Sequence, residues 1–259
     1  MKRIVQLTDT HLFGAPESHW GAFRPTASLD AVLAAMTARE RGVDALLLTG
    51  DIAMDGEAAA YRAIVERCAG RGVPVLAVPG NHDDPRCMAE VFGAAGIVCD
   101  GAVPLGAWDV VLLSSHVAGE QGGALTRSAL ADLDRHLAAG TGRPQLIAVH
   151  HPPVDVGSAW MDAMGLDNAA ELLAILRRYR QVRAVVSGHV HQVHEARVDD
   201  IAVYTTPSTC MQFLPAAAAF AEDTGVAPGY RWLELADSGA LTTGVVRVPA
   251  ALPAAASSA

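Results

Sequence analysis

Two histidines separated by one residue, His189 and His191, follow directly after a short apolar run late in the chain. In an extended segment, residues two apart point to the same side, so both imidazoles can converge on one small volume. Imidazole is the commonest metal ligand among side chains. A surface pair is the commoner explanation for two histidines alone, so a metal site requires matching ligands elsewhere in the chain.

Four earlier apolar runs end in residues that could supply those ligands. The runs at residues 4–7, 45–48, 73–78 and 145–149 are followed by Asp9 and His11, by Asp51, by Asn81, and by His150. Taken singly, such residues are also typical of helix caps and turns, and Asn81-His82-Asp83 could be an Asx turn before a helix. Their joint occurrence at successive strand ends favours one site.

The seven candidate ligands are carboxylate, amide and imidazole groups. Such oxygen and nitrogen donors favour Fe, Mn or Zn, whereas softer metals favour thiolate ligands. Seven protein ligands exceed what one ion accepts, so the set predicts two ions about 3.5–4 Å apart with a bridging carboxylate. Asp51 is the predicted bridge, because it lies between Asp9 and Asn81 in the sequence. Two such ions lower the pKa of a bound water toward about 7 and hold a phosphoryl oxygen, which predicts phosphoester hydrolysis by direct attack of water.

Alternation of strands and helices explains how these residues could meet. Further strands are predicted at 110–114, 182–186, 202–206, 231–235 and 241–248. Helices are predicted at 27–41, 57–69, 127–137 and 168–179, and another is expected to begin at Asp84 and Pro85. This pattern predicts β-α-β units and parallel or mixed sheets packed between helices. Ligands of such folds gather beyond the carboxyl ends of the strands, so all five strand ends should open at one edge.

Composition limits the class of protein. The 259 residues are 51% apolar and 18% charged, which is enough for a substantial core. The net charge of −9, with no basic run, argues against a nucleic-acid polymer as partner. The apolar run near residue 4 is too short for a signal peptide, and no apolar segment of 18 residues follows, so we expect neither a signal peptide nor a membrane partner. The four cysteines have no C-x-x-C spacing, which predicts reduced thiols and a cytoplasmic location.

Together, the motifs from residue 9 to residue 191 resemble the calcineurin-like metallophosphoesterases. The motifs are Asp9-x-His11, Gly50-Asp51, Gly80-Asn81-His82-Asp83, His150-His151-Pro152 and Gly188-His189-x-His191. The resemblance implies an α/β fold, a four-layer α-β-β-α sandwich of two mixed β-sheets flanked by helices, with a dinuclear metal centre. It implies one metal held by Asp9, His11, Asp51 and His191, and another held by Asp51, Asn81, His150 and His189.

The same resemblance implies roles in catalysis. His82 and Asp51 would be the catalytic residues, with His82 over the phosphoryl group as a charge stabiliser or proton donor. Asn81, His82 and His191 would also contact the substrate. His151 would be structural, because the family's ligand is the first histidine of the pair.

Within the family, the chain resembles bacterial class III cyclic nucleotide phosphodiesterases. The resemblance rests on Thr10-His11-Leu12-Phe13, on His150-His151-Pro152-Pro153 and on the segments 206–213 and 228–231. It implies hydrolysis of 3′,5′-cyclic AMP to 5′-AMP by an enzyme that binds two metal ions. Fe and Mn are the expected metals, and Zn and Co are the alternatives. A broad phosphodiesterase for glycerophosphodiesters or 2′,3′-cyclic nucleotides is the alternative. A non-catalytic interaction module is a more distant one, which loss of ligands would mark, and no ligand is lost.

A single domain is expected over residues 1–248, with residues 199–248 as a β/loop extension that borders the site and 249–259 as a disordered tail. Phe213 and Tyr230 lie beside turn residues in this extension, so we expect them to face the pocket and bind the nucleoside half of the substrate. Trp232 is expected to close a sheet instead. Because relatives commonly dimerise, a homodimer is a further expectation.

Overall fold

The computed structural model describes residues 1–68, 70–140 and 142–251. Within them the strands are β1 (Lys2–Leu7), β2 (Ala45–Thr49), β3 (Val75–Val78), β4 (Gly101–Leu105), β5 (Trp108–Leu113), β6 (Gln145–Val149), β7 (Val182–Ser187), β8 (Glu195–Val198), β9 (Ile201–Thr205), β10 (Gly229–Leu235) and β11 (Leu241–Arg247). The helices are α1 (Pro25–Arg39), α2 (Ala58–Cys68), α3 (Pro85–Ala94), α4 (Arg127–Ala138), α5 (Ala159–Asp162) and α6 (Ala169–Leu176).

The strands form two mixed sheets. The first sheet has the order β11-β10-β1-β2-β3, in which β1, β2 and β3 are parallel and β10 pairs with β1 antiparallel. The second has the order β4-β5-β6-β7-β9-β8, in which β5, β6, β7 and β9 are parallel and the two edge strands are antiparallel. The carboxyl ends of β1, β2 and β3 therefore lie side by side, and so do those of β6 and β7.

Alternating side chains along the strands build four layers. In β1, Val5 and Leu7 pack with α1, α2 and α3, whereas Ile4 packs between the two sheets. In β6, Leu146 faces the space between the sheets and Ile147 packs against α4 and α6. This arrangement of helices, sheet, sheet and helices confirms the four-layer sandwich of two mixed sheets that the resemblance implied.

The predicted elements are present with shifts of a few residues at their ends. Asp84 caps α3, since its carboxylate accepts hydrogen bonds from the backbone of Arg86 and Cys87. The sequence interpretation missed β4, β8 and the short α5. Pro249–Ala251 form a 3₁₀ turn in which Ala251 is buried in the core beside α1, so the expected disordered tail does not begin at 249. Residues 252–259 lie outside the described residues.

A buried arginine joins the two sheets. Arg231 of β10 has no exposed surface, and its guanidinium donates hydrogen bonds to the Thr205 carbonyl at 3.0 Å, to the Thr243 hydroxyl at 3.1 Å and to the Glu195 carboxylate at 3.3 Å. The guanidinium also lies 4.9 Å from the centre of the Tyr204 ring. Burial lowers the pKa of Arg231, and Glu195 opposes that shift. Arg231 thus supplies a polar connection between the two sheets, in addition to the apolar side chains packed between them.

Replacement of Arg231 by alanine should destabilise the fold. We expect Arg231→Ala to lower the free energy of unfolding by about 2–4 kcal/mol, because it leaves a cavity and removes the donor to the buried Thr205 carbonyl. Urea unfolding followed by circular dichroism measures this loss. Arg177→Ala is the control, since Arg177 pairs with Asp199 at the surface and should contribute less than about 1 kcal/mol. Equal losses in the two variants would contradict a structural role for Arg231.

Candidate metal centre

Five strand ends meet at one end of the sandwich. Asp9 and His11 follow β1, Asp51 follows β2 and Asn81 follows β3, all from the first sheet. His150 follows β6, and His189 and His191 follow β7, from the second sheet. The two sheets are tied together there, because His150 Nδ1 donates to the Thr49 carbonyl at 2.7 Å and the His189 backbone donates to the Asp9 carboxylate at 3.1 Å. The structure therefore brings together all seven residues proposed as ligands.

The first proposed ligand set is closely packed and buried. His11 Nε2 lies 3.1 Å from His191 Nε2, and His191 Nε2 lies 3.3 Å from Asp9 Oδ1. His11 Nε2 lies 3.8 Å from Asp51 Oδ2. Two imidazole nitrogens and two carboxylates thus share one small volume.

The second set surrounds the Asn81 side-chain oxygen. Asn81 Oδ1 lies 3.2 Å from His150 Nε2 and 3.1 Å from His189 Nδ1. His150 Nε2 is also 3.5 Å from Asp51 Oδ2. One oxygen of Asp51 therefore faces a histidine from each set, which is the position that a bridging carboxylate needs.

Backbone carbonyls fix the tautomers of three histidines. His150 Nδ1 faces the Thr49 carbonyl, His191 Nδ1 faces the Met211 carbonyl at 2.8 Å, and His189 Nε2 faces the Met164 carbonyl at 2.9 Å. Since a carbonyl only accepts, each of these nitrogens carries the proton, and the opposite nitrogen of each ring points into the site. The outer hydrogen bonds therefore direct Nε2 of His150 and His191 and Nδ1 of His189 into the site, where each could bind an ion.

These residues fit a pair of metal ions. Acid and histidine atoms close enough to share an ion occur in four overlapping groups, in which Asp51 joins His11 in one and His150 in another. Burial leaves His11 Nδ1 without a hydrogen-bond partner and lowers the pKa of His11 well below its ordinary value. Burial also lowers the pKa of His150, but the Asp51 carboxylate outweighs it and raises that pKa to about 9. The negative charge of Asp51 stabilises a proton on His150, and the same charge would attract a metal cation to this position.

Two glycines of the motifs are required by close approach. A Cβ on Gly188 would lie 2.0 Å from Thr8 Oγ1 and 2.7 Å from Asp9 Oδ2. A Cβ on Gly80 would lie 2.1 Å from Asp51 Oδ1. The backbone thus approaches both carboxylates at distances that no side chain permits.

Asp83 connects two of the ligand loops. Its buried carboxylate accepts hydrogen bonds from the backbone of Ile52, Ala53 and Gly80 and from the Tyr61 hydroxyl, at 2.8–3.2 Å. Burial and the nearby Asp51 carboxylate raise the pKa of Asp83 to about 6. The last residue of the Asn-His-Asp motif therefore holds the segment after β2 against the segment after β3.

Gln121 contacts a proposed ligand and was not identified in the sequence. Its Oε1 accepts a hydrogen bond of 3.2 Å from Asn81 Nδ2, which leaves Asn81 Oδ1 directed at His150 and His189. The Gln121 carbonyl accepts from His151 Nε2 at 3.1 Å, while His151 Nδ1 lies 2.8 Å from the Ser115 hydroxyl. Burial and the neighbouring His150 lower the pKa of His151 to about 3. His151 thus holds the loop that carries Gln121.

A cleft opens over the metal ligands. His82 lines it, with its ring centre 5.1 Å from that of His11, and its backbone N–H donates to Asp51 Oδ1 at 2.9 Å. Phe220, from the extension that was expected to border the site, forms another wall. The remaining walls were not predicted from the sequence: Trp20, Gln121, Trp160, Met161 and Met164. A larger cleft of about 500 Å³ lies beside Met36 and Arg67, far from the ligands in the fold.

Only one of the two predicted aromatic contacts borders this cleft. Phe213 lines it and stacks on the His191 ring, with ring centres 4.0 Å apart and an interplanar angle of 10°. Tyr230 instead lies in β10, fully buried in the core beneath α1, where its hydroxyl donates to Glu40 at 2.8 Å. The expectation for Tyr230 is therefore corrected, because the alternation of β10 turns this side chain to the helical layer. Trp232 lies in the same strand, as expected.

The chain belongs to the calcineurin-like phosphoesterase family, whose model matches residues 2–193. Members of this family use a dinuclear metal site, and the groups described above can hold metal ions. The fold is similar to that of a dimetal phosphatase from Danio rerio, with a TM-score of 0.65 and 16% identity over 95% of this chain and 99% of that one.

Relatives with higher sequence identity are named as cyclic nucleotide phosphodiesterases. The chain is 39% identical to the 3′,5′-cyclic adenosine monophosphate phosphodiesterase CpdA of Vibrio vulnificus, over 95% of this chain and 90% of the relative. It is 38% identical to the protein of the same name from Escherichia coli K12, with the same coverage. It is 34% identical to the 3′,5′-cyclic-nucleotide phosphodiesterase alr5338 of Nostoc, over 96% of this chain and 94% of the relative.

The position of Asp51 predicts how metal content responds to substitution. We expect Asp51→Asn to lower the affinity for both ions by at least about 10–100-fold, because one carboxylate oxygen faces both ligand sets. Asn81→Ala is the matched variant and should weaken mainly one ion, since Asn81 contacts only His150 and His189 of the proposed ligands. Elemental analysis and metal titration of the purified variants measure both effects. Two tightly held ions and wild-type turnover in Asp51→Asn would refute the bridge.

Proposed function

We propose that this protein hydrolyses 3′,5′-cyclic nucleotides, with cyclic AMP converted to 5′-AMP. The observation that carries the proposal is the convergence of the seven proposed metal ligands from both sheets at one end of the sandwich, where His82 and five of these ligands line an open cleft. The identity of 34–39% to proteins named as cyclic nucleotide phosphodiesterases, over nearly the whole chain, supports the choice of substrate.

Two metal ions are part of the proposal. Asp9, His11, Asp51 and His191 would hold one ion, and Asp51, Asn81, His150 and His189 the other. When bound, the ions supply an activated water and positive charge for the phosphoryl oxygens. The mixed oxygen and nitrogen ligands favour Fe or Mn, with Zn and Co as the alternatives. The net charge of −9 makes this local positive charge necessary for binding an anionic substrate.

The protein's own residues position the diester and handle the proton. In the proposed reaction the water oxygen bonds to phosphorus, the bond from phosphorus to the ribose O3′ breaks, and O3′ takes up a proton. His82 lines the cleft beside His11, and its backbone N–H donates a hydrogen bond to Asp51, which supports a position close to a bound diester. We assign the proton donation to His82 and contacts with the phosphate to Asn81, His82 and His191.

A cytoplasmic location and a homodimer remain predictions. All four cysteines are free, and we propose from their spacing in the sequence that the protein resides in the cytoplasm. No helix within residues 1–68, 70–140 and 142–251 is long and apolar enough to cross a membrane. A homodimer remains to be tested by light scattering.

Substrate preference tests the proposed function. The protein is loaded in turn with Fe, Mn, Zn and Co, and kcat/KM is measured on 3′,5′-cyclic AMP, 2′,3′-cyclic AMP, a glycerophosphodiester and bis(p-nitrophenyl) phosphate. We expect the highest value on 3′,5′-cyclic AMP with 5′-AMP as product. A higher value on the glycerophosphodiester or the 2′,3′-cyclic substrate would favour the broad phosphodiesterase. Absence of turnover with two ions bound would favour a binding protein.

Leaving groups of different basicity test the role of His82. A ribose alkoxide needs a proton as it leaves, whereas p-nitrophenolate does not. We therefore expect His82→Ala to reduce kcat on cyclic AMP by about 10²–10⁴-fold, and to have a much smaller effect on bis(p-nitrophenyl) phosphate. His116→Ala is the control, since His116 lies beside a separate cleft at α4. Equal losses on both substrates would assign His82 to phosphate binding instead.

A further inference from the structure

An aromatic corner lies at the mouth of the metal cleft. Trp160 and Phe220 have ring centres 5.4 Å apart at an interplanar angle of 76°, and both rings line the cleft that contains His82, His189 and His191. Trp160 belongs to α5, in the connection between β6 and β7, and Phe220 belongs to the segment between β9 and β10. Phe220 lies in the extension that was expected to border the site, but neither residue was predicted as a substrate contact, and neither is a proposed metal ligand.

A continuous set of ring contacts links this corner to the metal ligands. Phe213 stacks on His191, and its ring centre lies 5.1 Å from that of Trp160 and 5.5 Å from that of Phe220. Phe213 is only 7% exposed, so its ring is already covered by neighbours. The corner is therefore separated from a proposed metal ligand by one aromatic ring, that of Phe213.

Phe220 is exposed without an evident structural reason. Its side chain is 54% exposed, although a phenyl ring gains free energy when it is removed from water. The backbone that carries it is nevertheless fixed, because Phe213 pairs with Glu222 and the Leu214 backbone donates to the Ala221 carbonyl at 2.8 Å. A fixed loop thus presents an apolar ring face at the edge of the cleft.

Hydrogen bonds also hold the segment that carries Trp160. Asp162, in the same short helix, accepts hydrogen bonds from the backbone of Val156 and Gly157, which fixes the turn before the helix. Met164 follows the helix, and its carbonyl accepts from His189 Nε2. The segment that carries Trp160 is therefore connected through hydrogen bonds to a proposed metal ligand. Trp160 Nε1 is buried without a hydrogen-bond partner.

From these contacts we infer that Trp160 and Phe220 form the subsite for the nucleobase of a cyclic nucleotide. This inference rests on the proposed function and assigns the residues that recognise the half of the substrate away from the metal centre. The exposed face of Phe220 stacks on the base and Trp160 forms the adjoining wall. Met161 and Met164 line the same side of the cleft, where flexible thioethers adapt to a flat ring.

A nucleobase fits this corner better than other groups do. Base–aromatic stacking contributes about 1–3 kcal/mol per base, and every base has a π face that can take part. A glycerophosphodiester offers no flat ring at the corresponding position, so it would leave Phe220 in water. The corner therefore favours cyclic nucleotides over the other diesters that the metal centre could accept.

Comparison of two substrates isolates the base. The wild-type protein loaded with Mn is assayed on 3′,5′-cyclic AMP and on ribose 3′,5′-cyclic phosphate, which has the same reacting bonds and no base. The quantity of interest is the ratio of kcat/KM on the first substrate to that on the second. Because a general loss of activity changes both values, only a base contact changes the ratio.

We expect Phe220→Ala and Trp160→Ala each to lower this ratio by about 5–150-fold, the factor that corresponds to one lost stacking contact. Phe220→Tyr and Trp160→Phe should restore most of it, because both keep an aromatic face. Leu214→Ala is the matched control, since Leu214 is 44% exposed in the same segment and is absent from the walls of the cleft. Its ratio should equal that of the wild type.

Failure of the subsite and failure of the proposed function give different results. A wild-type ratio in Phe220→Ala overturns the inference, because this exposed side chain has little packing to lose and the variant should fold. Trp160→Ala is compared with the wild type in melting temperature and metal content, and a ratio that falls only together with both would also overturn the role of Trp160. A wild-type protein that turns over bis(p-nitrophenyl) phosphate but not cyclic AMP would refute the proposed function itself.

Discussion

The site depends on a left-handed backbone conformation, which residues other than glycine rarely adopt. Asp9, His11, Asp51, His189 and His191 all have positive φ, between 46° and 69°. Such a conformation costs about 1–2 kcal/mol per residue. Only two other non-glycine residues among those described, Asp199 and Ala216, share it, so the strain is concentrated where strands end and ligands begin. The positive φ values turn the chain sharply after β1, β2 and β7, at the end of the sandwich where the proposed ligands meet.

Hydrogen bonds from both sheets hold this conformation. The Asp9 backbone donates to the Gly50 carbonyl at 3.0 Å and the His11 backbone to the Asp51 carbonyl at 2.9 Å, which fixes the loop after β1 to the loop after β2. Between the sheets, the buried Gln6 amide donates to the Ser187 carbonyl at 3.1 Å. Since the bond from Gln6 exists only when both sheets are packed, the apolar layer between the sheets also stabilises the ends of β1 and β7.

The sequence predicted the strand ends well, because apolar runs mark buried strands and the ligand motifs follow them directly. It could not predict how the strands divide between two sheets, since periodicity within a strand carries no information about its partners. Tyr230 was misplaced for a related reason: an aromatic residue beside a glycine has the same pattern whether it faces a core or a cleft. Trp160, Phe220 and Gln121 lie in irregular connections, where no periodic pattern indicates which side chains face the ligands.

Strand ends and loops therefore have separate tasks in this fold. The strand ends supply the proposed metal ligands, whose positions are constrained by β-sheet hydrogen bonds, close glycine contacts and buried carboxylates. The connections from 152 to 168 and from 206 to 228 contribute apolar and aromatic walls, and they carry no ligand. An anionic chain cannot select an anionic substrate by its overall charge, so the metal centre must recognise the phosphate that all candidate substrates share. Selection among those substrates must then come from contacts outside the metal centre, and the aromatic loops are the part of the cleft that can provide them.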